Sequence, residues 1–166
     1  MTVVPDTSGL AGALSGASAI LFDLDGVLTP TAVVHEQAWK QLFDGFLASV
    51  PGAAPYRESD YFDHIDGKPR FDGVRDFLAS RGIVLPEGPA DDEPTHDTVH
   101  GLGNRKNKVF NDIVAAGGVQ PYEGSVRLVD AALARGFKLA VVSSSRNAPA
   151  VLKAAGLSDY FPVVVD

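Results

Sequence analysis

Apolar positions along the chain fall into two patterns. A continuous run from Ala19 through Ile20, Leu21 and Phe22 ends abruptly in Asp23-Leu24-Asp25-Gly26. It predicts a strand buried on both faces, with two carboxylates at its carboxyl end and a glycine permitting the chain to bend. Residues 137–142 and 161–165 predict two further strands. Helical spacing dominates elsewhere. Ala38, Trp39, Leu42, Phe43, Phe46 and Leu47 mark a helix over 35–50, stopped by Pro51-Gly52. Shorter helices are predicted over 59–65, over 71–81 with Gly82 at the C-cap, over 104–116 before Gly117-Gly118, and over 125–135. Another begins beyond Asn147 with Pro149 in its first turn and runs to 155. Residues 7–18, rich in Ser, Gly and Ala with Leu10 and Leu14 one turn apart, predict a short helix laid across the sheet. Residues 86–103, with three prolines, several acidic residues and glycines, predict an exposed loop.

The strand–helix–strand–helix–strand order implies an α/β fold with parallel pairing and right-handed crossovers. The stretch between Asp25 and Ser143 is far longer than one crossover helix requires, and it is almost wholly helical. It predicts a helical cap domain over 31–118, inserted into a discontinuous α/β core of residues 1–30 and 119–166 and placed to close over the acidic motif.

At 166 residues the chain has room for one domain and a modest insertion, and 45% apolar residues make a core feasible. There is no cysteine, which excludes disulfides, thiolate metal sites and cysteine nucleophiles. A net charge of −7 argues against a nucleic-acid partner. No apolar run reaches the length of a membrane span and the first residues lack a basic leader, so a cytoplasmic protein with no membrane partner is expected.

The acidic pair carries the strongest chemical signal. Two uncompensated carboxylates at the edge of a core persist only with a cation, a proton or hydrogen-bond donors between them. One can attack phosphorus and the other, two residues on, can protonate a leaving oxygen and later deprotonate an acceptor. Mg²⁺, a hard cation requiring oxygen ligands, suits Asp23 and Asp25. The bland alternative is an Asp-rich turn. Ser143, where the second strand leads towards a helix, is a candidate for holding a phosphoryl group. Its bland alternative is N-capping by Ser144, Ser145 or Asn147. His96 and His100, four apart beside the acidic loop with no third ligand in view, do not make a zinc site.

These residues resemble a known superfamily. Phe22-Asp23-Leu24-Asp25-Gly26-Val27 and Val142-Ser143-Ser144-Ser145-Arg146-Asn147 resemble the first two motifs of the haloacid-dehalogenase-superfamily phosphotransferases. Thr29, Thr31, His35, Ala38-Trp39-Lys40, Gly67, Arg70, Arg105-Lys106-Asn107 and Pro121-Tyr122-Glu123-Gly124 extend the resemblance, within that superfamily, to the β-phosphoglucomutase family. The resemblance implies a Rossmann-like core under a helical cap, Mg²⁺ as cofactor and a small phosphorylated sugar as partner. It implies Asp23 as nucleophile and metal ligand and Asp25 as general acid and base. Ser143, Ser144, Arg146 and Asn147 would hold the transferring phosphoryl group. His35, Arg70, Lys106 and Asn107 would read the sugar phosphate from the cap, Arg70 gripping the nonreacting phosphate. Each cap residue has a plainer reading: His35 as a surface residue or cap, Trp39 as core packing, Arg70 in a solvated turn, and Arg105, Lys106 and Lys108 as the exposed start of a helix.

The family pattern also has a lysine and an acidic cluster beyond the third strand, and the chain ends at Asp166 before either. The expectation is a truncated core whose first strand is an exposed edge open to self-association. Pro30 stands where the mutase pattern has Asp. Three functions remain open at this point: a mutase interconverting β-glucose 1-phosphate and glucose 6-phosphate through an aspartyl phosphate, a sugar-phosphate phosphatase, and a noncatalytic binding or assembly module.

Overall fold

The computed structural model describes residues 14–143 and 145–166. The chain divides into two compact units, 1–29 with 121–166, and 30–120. The helix expected over 7–18 lies largely outside the described residues; its last part, 14–16, forms a turn.

The first unit is α/β. Strands β1 (Ala19–Phe22), β2 (Lys138–Val142) and β3 (Val163–Val165) pair in parallel in the order β1-β2-β3. In register, Ile20 lies beside Leu139 and Phe22 beside Val141, while Leu21 lies beside Ala140 and Val142 beside Val165. Alternate side chains of a strand point to opposite faces. Phe22, Leu139 and Val141 are accordingly buried together on one face, and Phe22 meets Phe161 edge-on at 5.6 Å. The other face carries Leu21, Val142, Val163 and Val165, all exposed, Leu21 by 67%.

This corrects the expectation that the first strand is buried on both faces. A run of apolar side chains records the tendency of each to be buried, but three short strands are covered on one face only among the described residues. β1 is also one edge of this sheet. Helices in this unit are Glu123–Ala134 and Ala148–Ala154, with a 3-10 turn at Ser158–Tyr160. Pro149 falls in the first turn of Ala148–Ala154, where its missing N–H costs nothing.

The second unit is all-helical. In chain order its helices are α1 (Thr31–Leu47), α2 (Glu58–His64), α3 (Arg70–Ser80) and α4 (Val99–Ala115); the two helices of the first unit follow as α5 and α6. The apolar face of α1 supplies Trp39, Leu42, Phe43 and Phe46 to a core completed by Phe77 of α3 and Leu102 of α4. Phe43 is its centre, with ring centroids 5.5 Å from Trp39, 3.8 Å from Phe77 and 5.7 Å from Tyr56.

Two boundaries differ instructively from those expected. Helix α1 begins at Thr31, four residues early, which puts His35 inside the helix instead of at its cap. Helix α4 begins at Val99, so Gly101 and Gly103 are helical and buried, not part of a loop. Thr98 starts it, its Oγ1 accepting the Gly101 N–H at 2.9 Å. The glycines are there for close approach: a Cβ on Gly101 would stand 2.3 Å from the His96 carbonyl oxygen.

The remaining loop, 86–98, is organised around the buried Asp92. The Asp92 carboxylate accepts the Thr98 hydroxyl at 2.5 Å and the Glu93 N–H at 3.1 Å, and it meets His96 Nδ1 at 2.5 Å. Prolines and acidic residues had suggested a solvated segment. The side-chain bonds within it make it a fixed one.

Candidate active site

In the α/β unit the chain turns sharply after β1. The Leu24 carbonyl accepts the N–H groups of Leu28 at 3.0 Å and Thr29 at 3.1 Å, together with the Thr29 hydroxyl at 3.3 Å. Gly26, at φ +77°, allows its N–H to return to the Thr29 carbonyl at 2.8 Å. Leu24, Leu28 and Thr29 are completely buried by this turn. The turn leaves Asp23 exposed, with its Oδ1 accepting the Leu24 N–H at 2.7 Å, and Asp25 half-buried.

Parallel pairing brings the carboxyl ends of β1 and β2 to the same edge of the sheet, and Ser143 follows β2 there. The Ser143 N–H donates to the Val165 carbonyl at 2.8 Å, which holds it to β3. Its Oγ lies 3.5 Å from Oδ2 of Asp25 and accepts the Ser145 N–H at 3.1 Å. The Ser145 Oγ in turn accepts the Asn147 N–H at 3.3 Å. The two hydroxyls thus order alternate backbone N–H groups in the segment before α6. Arg146 is exposed at its tip and Asn147 is half-buried; Ser144 lies outside the described residues.

The donor set at this edge is oxygen only. Among the described residues no group of three or more His, Asp or Glu side chains gathers as a metal site. Mg²⁺ binds through one or two carboxylates, with waters and substrate phosphate completing its octahedron, so Asp23 and Asp25 fit it as donors.

In the helical unit a second set of polar groups collects between α1 and α4. Lys106 is only 4% exposed, contrary to its reading as the open start of a helix. Its Nζ lies 2.5 Å from Nδ1 of His35 and sits over the rings of Trp39 and Phe110, at 5.3 and 5.0 Å. His35 stacks on Phe110 at 4.3 Å. Burial, and then the positive charge of Lys106, push the His35 pKa down to about 3. The imidazole is therefore neutral at ordinary pH, with Nδ1 accepting from the ammonium and the proton on Nε2.

Arg70 opens α3. Its guanidinium lies 4.9 Å over the Phe71 ring, and its Nη2 is 3.5 Å from Oδ1 of Asn104 on α4. Asn107, next to Lys106, is half-buried on α4. Sequence reasoning missed Phe110 and Asn104. The first had a signal: His35–Trp39 and Lys106–Phe110 are both i, i+4 pairs, so each polar group has a ring on its own helix one turn away.

The haloacid dehalogenase-like hydrolase family matches residues 17–166. β-Phosphoglucomutase of Mycobacterium tuberculosis is 45% identical over 154 residues, covering 89% of this chain and 59% of that protein. β-Phosphoglucomutase of Bacillus subtilis is 30% identical over 151 residues, covering 89% of this chain and 60% of that protein. Among solved structures, the archaeal β-phosphoglucomutase from Pyrococcus sp. superposes with a TM-score of 0.64 at 22% identity, over 89% of this chain and 63% of that one, a likeness of fold. The chain spans about three-fifths of the length of these relatives. With residues 17–166 matched throughout, the chain belongs to the haloacid dehalogenase-like hydrolase family.

Proposed function

We propose that this protein is a phosphomutase that interconverts β-glucose 1-phosphate and glucose 6-phosphate through an aspartyl phosphate. The observation that carries the reading is Asp25 beside Ser143, with Asp23 exposed, at the carboxyl edge of a parallel sheet. Open α/β sheets bind ligands at that edge. The 45% identity to a protein named β-phosphoglucomutase supports a sugar phosphate as the substrate.

In this reading a carboxylate oxygen of Asp23 attacks phosphorus, and the bond to the sugar oxygen breaks as Asp25 gives that oxygen its proton. Asp25 then takes the proton from the free hydroxyl of an incoming β-glucose 1-phosphate as that hydroxyl attacks the aspartyl phosphate. The phosphoryl group leaves Asp23, and the sugar bisphosphate so formed turns round in the site to give up its other phosphate by the same first step. Ser143 donates its hydroxyl to the transferring group, with Ser144, Arg146 and Asn147 alongside. Asp23 and Asp25 would hold Mg²⁺, whose charge offsets that of the phosphoryl oxygens. From the helical unit, which serves as the cap, His35, Lys106 and Asn107 orient the sugar and Arg70 grips the nonreacting phosphate with its forked guanidinium. Catalysis rests on positioning and charge stabilisation.

A second reading, favoured by the hydrolase description of the matched family, keeps the first half-reaction and admits water to the second, giving a sugar-phosphate phosphatase. Incubation with β-glucose 1-phosphate, Mg²⁺ and a trace of glucose 1,6-bisphosphate separates the two. Glucose 6-phosphate is the expected product; free phosphate without it would replace the mutase by the phosphatase. No turnover of any sugar phosphate would remove both.

A further inference from the structure

Arg70 is held by contacts that begin in the 86–98 loop. Asn104 Nδ2 donates to two carbonyl oxygens of that loop, Ala90 at 3.1 Å and Asp92 at 2.9 Å. Turning the amide over would set its oxygen against both carbonyls, so the loop fixes which end of Asn104 faces outward. The outward end is Oδ1, the acceptor 3.5 Å from Arg70 Nη2. The geometry is repeated one residue earlier. A Cβ on Gly103 would come within 2.5 Å of the Phe71 ring and 3.6 Å of Arg70 Cγ, so the bare backbone there lets Arg70 and Phe71 lie down on α4. The Phe71 ring then lies under the guanidinium.

We infer that Asn104 is a positioning residue for Arg70. Its amide carries the order of the 86–98 loop to the guanidinium and holds the fork in one rotamer before a phosphate arrives. This rests on the proposed function for its consequence, since Arg70 is there assigned to the nonreacting phosphate. A long side chain ordered in advance gives up less freedom on binding, so its ligand binds more tightly. Asn104 was silent in the sequence because its role depends on how a loop ten or more positions earlier is folded.

Two measurements on the whole chain test the inference. The first is the NMR signature of the Arg70 guanidinium without ligand, with rotation about its Cζ–N bonds as the readout. The second is calorimetric binding of β-glucose 1-phosphate to the wild type, Asn104→Ala, Arg70→Ala and the double variant. Asn104→Ala is expected to free the guanidinium and weaken binding about three- to tenfold, the scale of one immobilised side chain. In the Arg70→Ala background it should weaken binding no further. Asn104→Asp, which keeps an oxygen for Arg70 but loses both donations to the loop, should also loosen the guanidinium, by less than Asn104→Ala. A guanidinium as ordered in Asn104→Asp as in the wild type would overturn the inference that the loop orders it, as would an unchanged guanidinium in Asn104→Ala or an effect on binding that persists without Arg70. Should Asn104→Ala free the guanidinium while Arg70→Ala leaves binding intact, the positioning stands and the assignment of Arg70 to phosphate falls.

Discussion

Lys106 Nζ and His35 Nδ1 meet at 2.5 Å across 71 positions of sequence, a buried cation against an imidazole kept neutral. The rings of Trp39 and Phe110 face the ammonium, at 5.3 and 5.0 Å. In the proposed function the pair offers a cation and an Nε2–H donor to the oxygens of a phosphorylated sugar.

Lys106→Met keeps an apolar stem between the rings and removes the charge. The His35 pKa should rise from about 3, yet stay below the ordinary 6.5 because burial is the larger cause. An NMR pH titration of the imidazole reads it directly. A value restored fully to 6.5 would contradict the role of burial.

The same shift has a stability consequence. Folded His35 titrates near 3 and unfolded histidine near 6.5, so between those values the unfolded chain binds more protons. The stability tied to the neutral imidazole is fully present above about pH 6.5 and declines as the pH falls towards 3. His35→Asn, which cannot titrate, should flatten the slope of unfolding free energy against pH over that interval in denaturant titrations.

Asp25→Asn retains the shape of the site and removes its proton carrier. Turnover of β-glucose 1-phosphate is expected to fall about 10²- to 10⁴-fold, the usual contribution of general acid–base catalysis. Asp23→Asn should abolish formation of the phosphorylated enzyme altogether, which mass spectrometry of quenched protein detects. Retained turnover in Asp25→Asn would reassign the acid and base.

These expectations rest on features of unequal legibility. Asp23, Asp25 and Ser143 were readable because each sits where an apolar run stops, and strand ends are marked locally by composition. The helical unit was readable through Trp39, Phe43 and Phe46, spaced to one face of a helix. Leu21 was not: a strand's own residues do not reveal how many neighbours or covering helices it has. Lys106 and His35 were named by resemblance, but their contact requires α1 and α4 to pack together, which no local pattern states. Gly101 and Gly103 were misread because glycine marks both a loop and a close approach, and only the packing of His96 and Phe71 against α4 distinguishes them.

Asp92 offers a test of the loop that was taken for a solvated segment. The Thr98 hydroxyl, then His96 and the Glu93 N–H, hold its carboxyl below the ordinary 3.8. A carboxylate depressed in the folded state contributes stability that is present above its unfolded pKa and lost as the pH falls through its folded value. Amides in 86–98 should therefore lose hydrogen-exchange protection in acid, beyond the change seen in α1. In Asp92→Asn they should be less protected at neutral pH and nearly insensitive to acidification.

Gly101→Ala separates the two readings of that glycine by the sign of its effect. In an ordinary helical position, replacing Gly by Ala stabilises by about 1 kcal/mol, through restriction of the unfolded chain and better helix propensity. Here the new Cβ would stand 2.3 Å from the His96 carbonyl oxygen and 3.0 Å from both the Glu93 carbonyl oxygen and Thr98 Oγ1. Two of those three atoms are backbone, held in a loop that Asp92 and Asn104 bond in place, so they cannot swing aside as a side-chain tip would. Overpacking of this kind costs about 1–3 kcal/mol and outweighs the propensity gain. Thermal unfolding should show a lower Tm for Gly101→Ala. Gly45→Ala, at a helical position in α1 with open space around the added Cβ, should show an unchanged or higher one. A rise in both would mean that the loop yields to the methyl group and is not fixed.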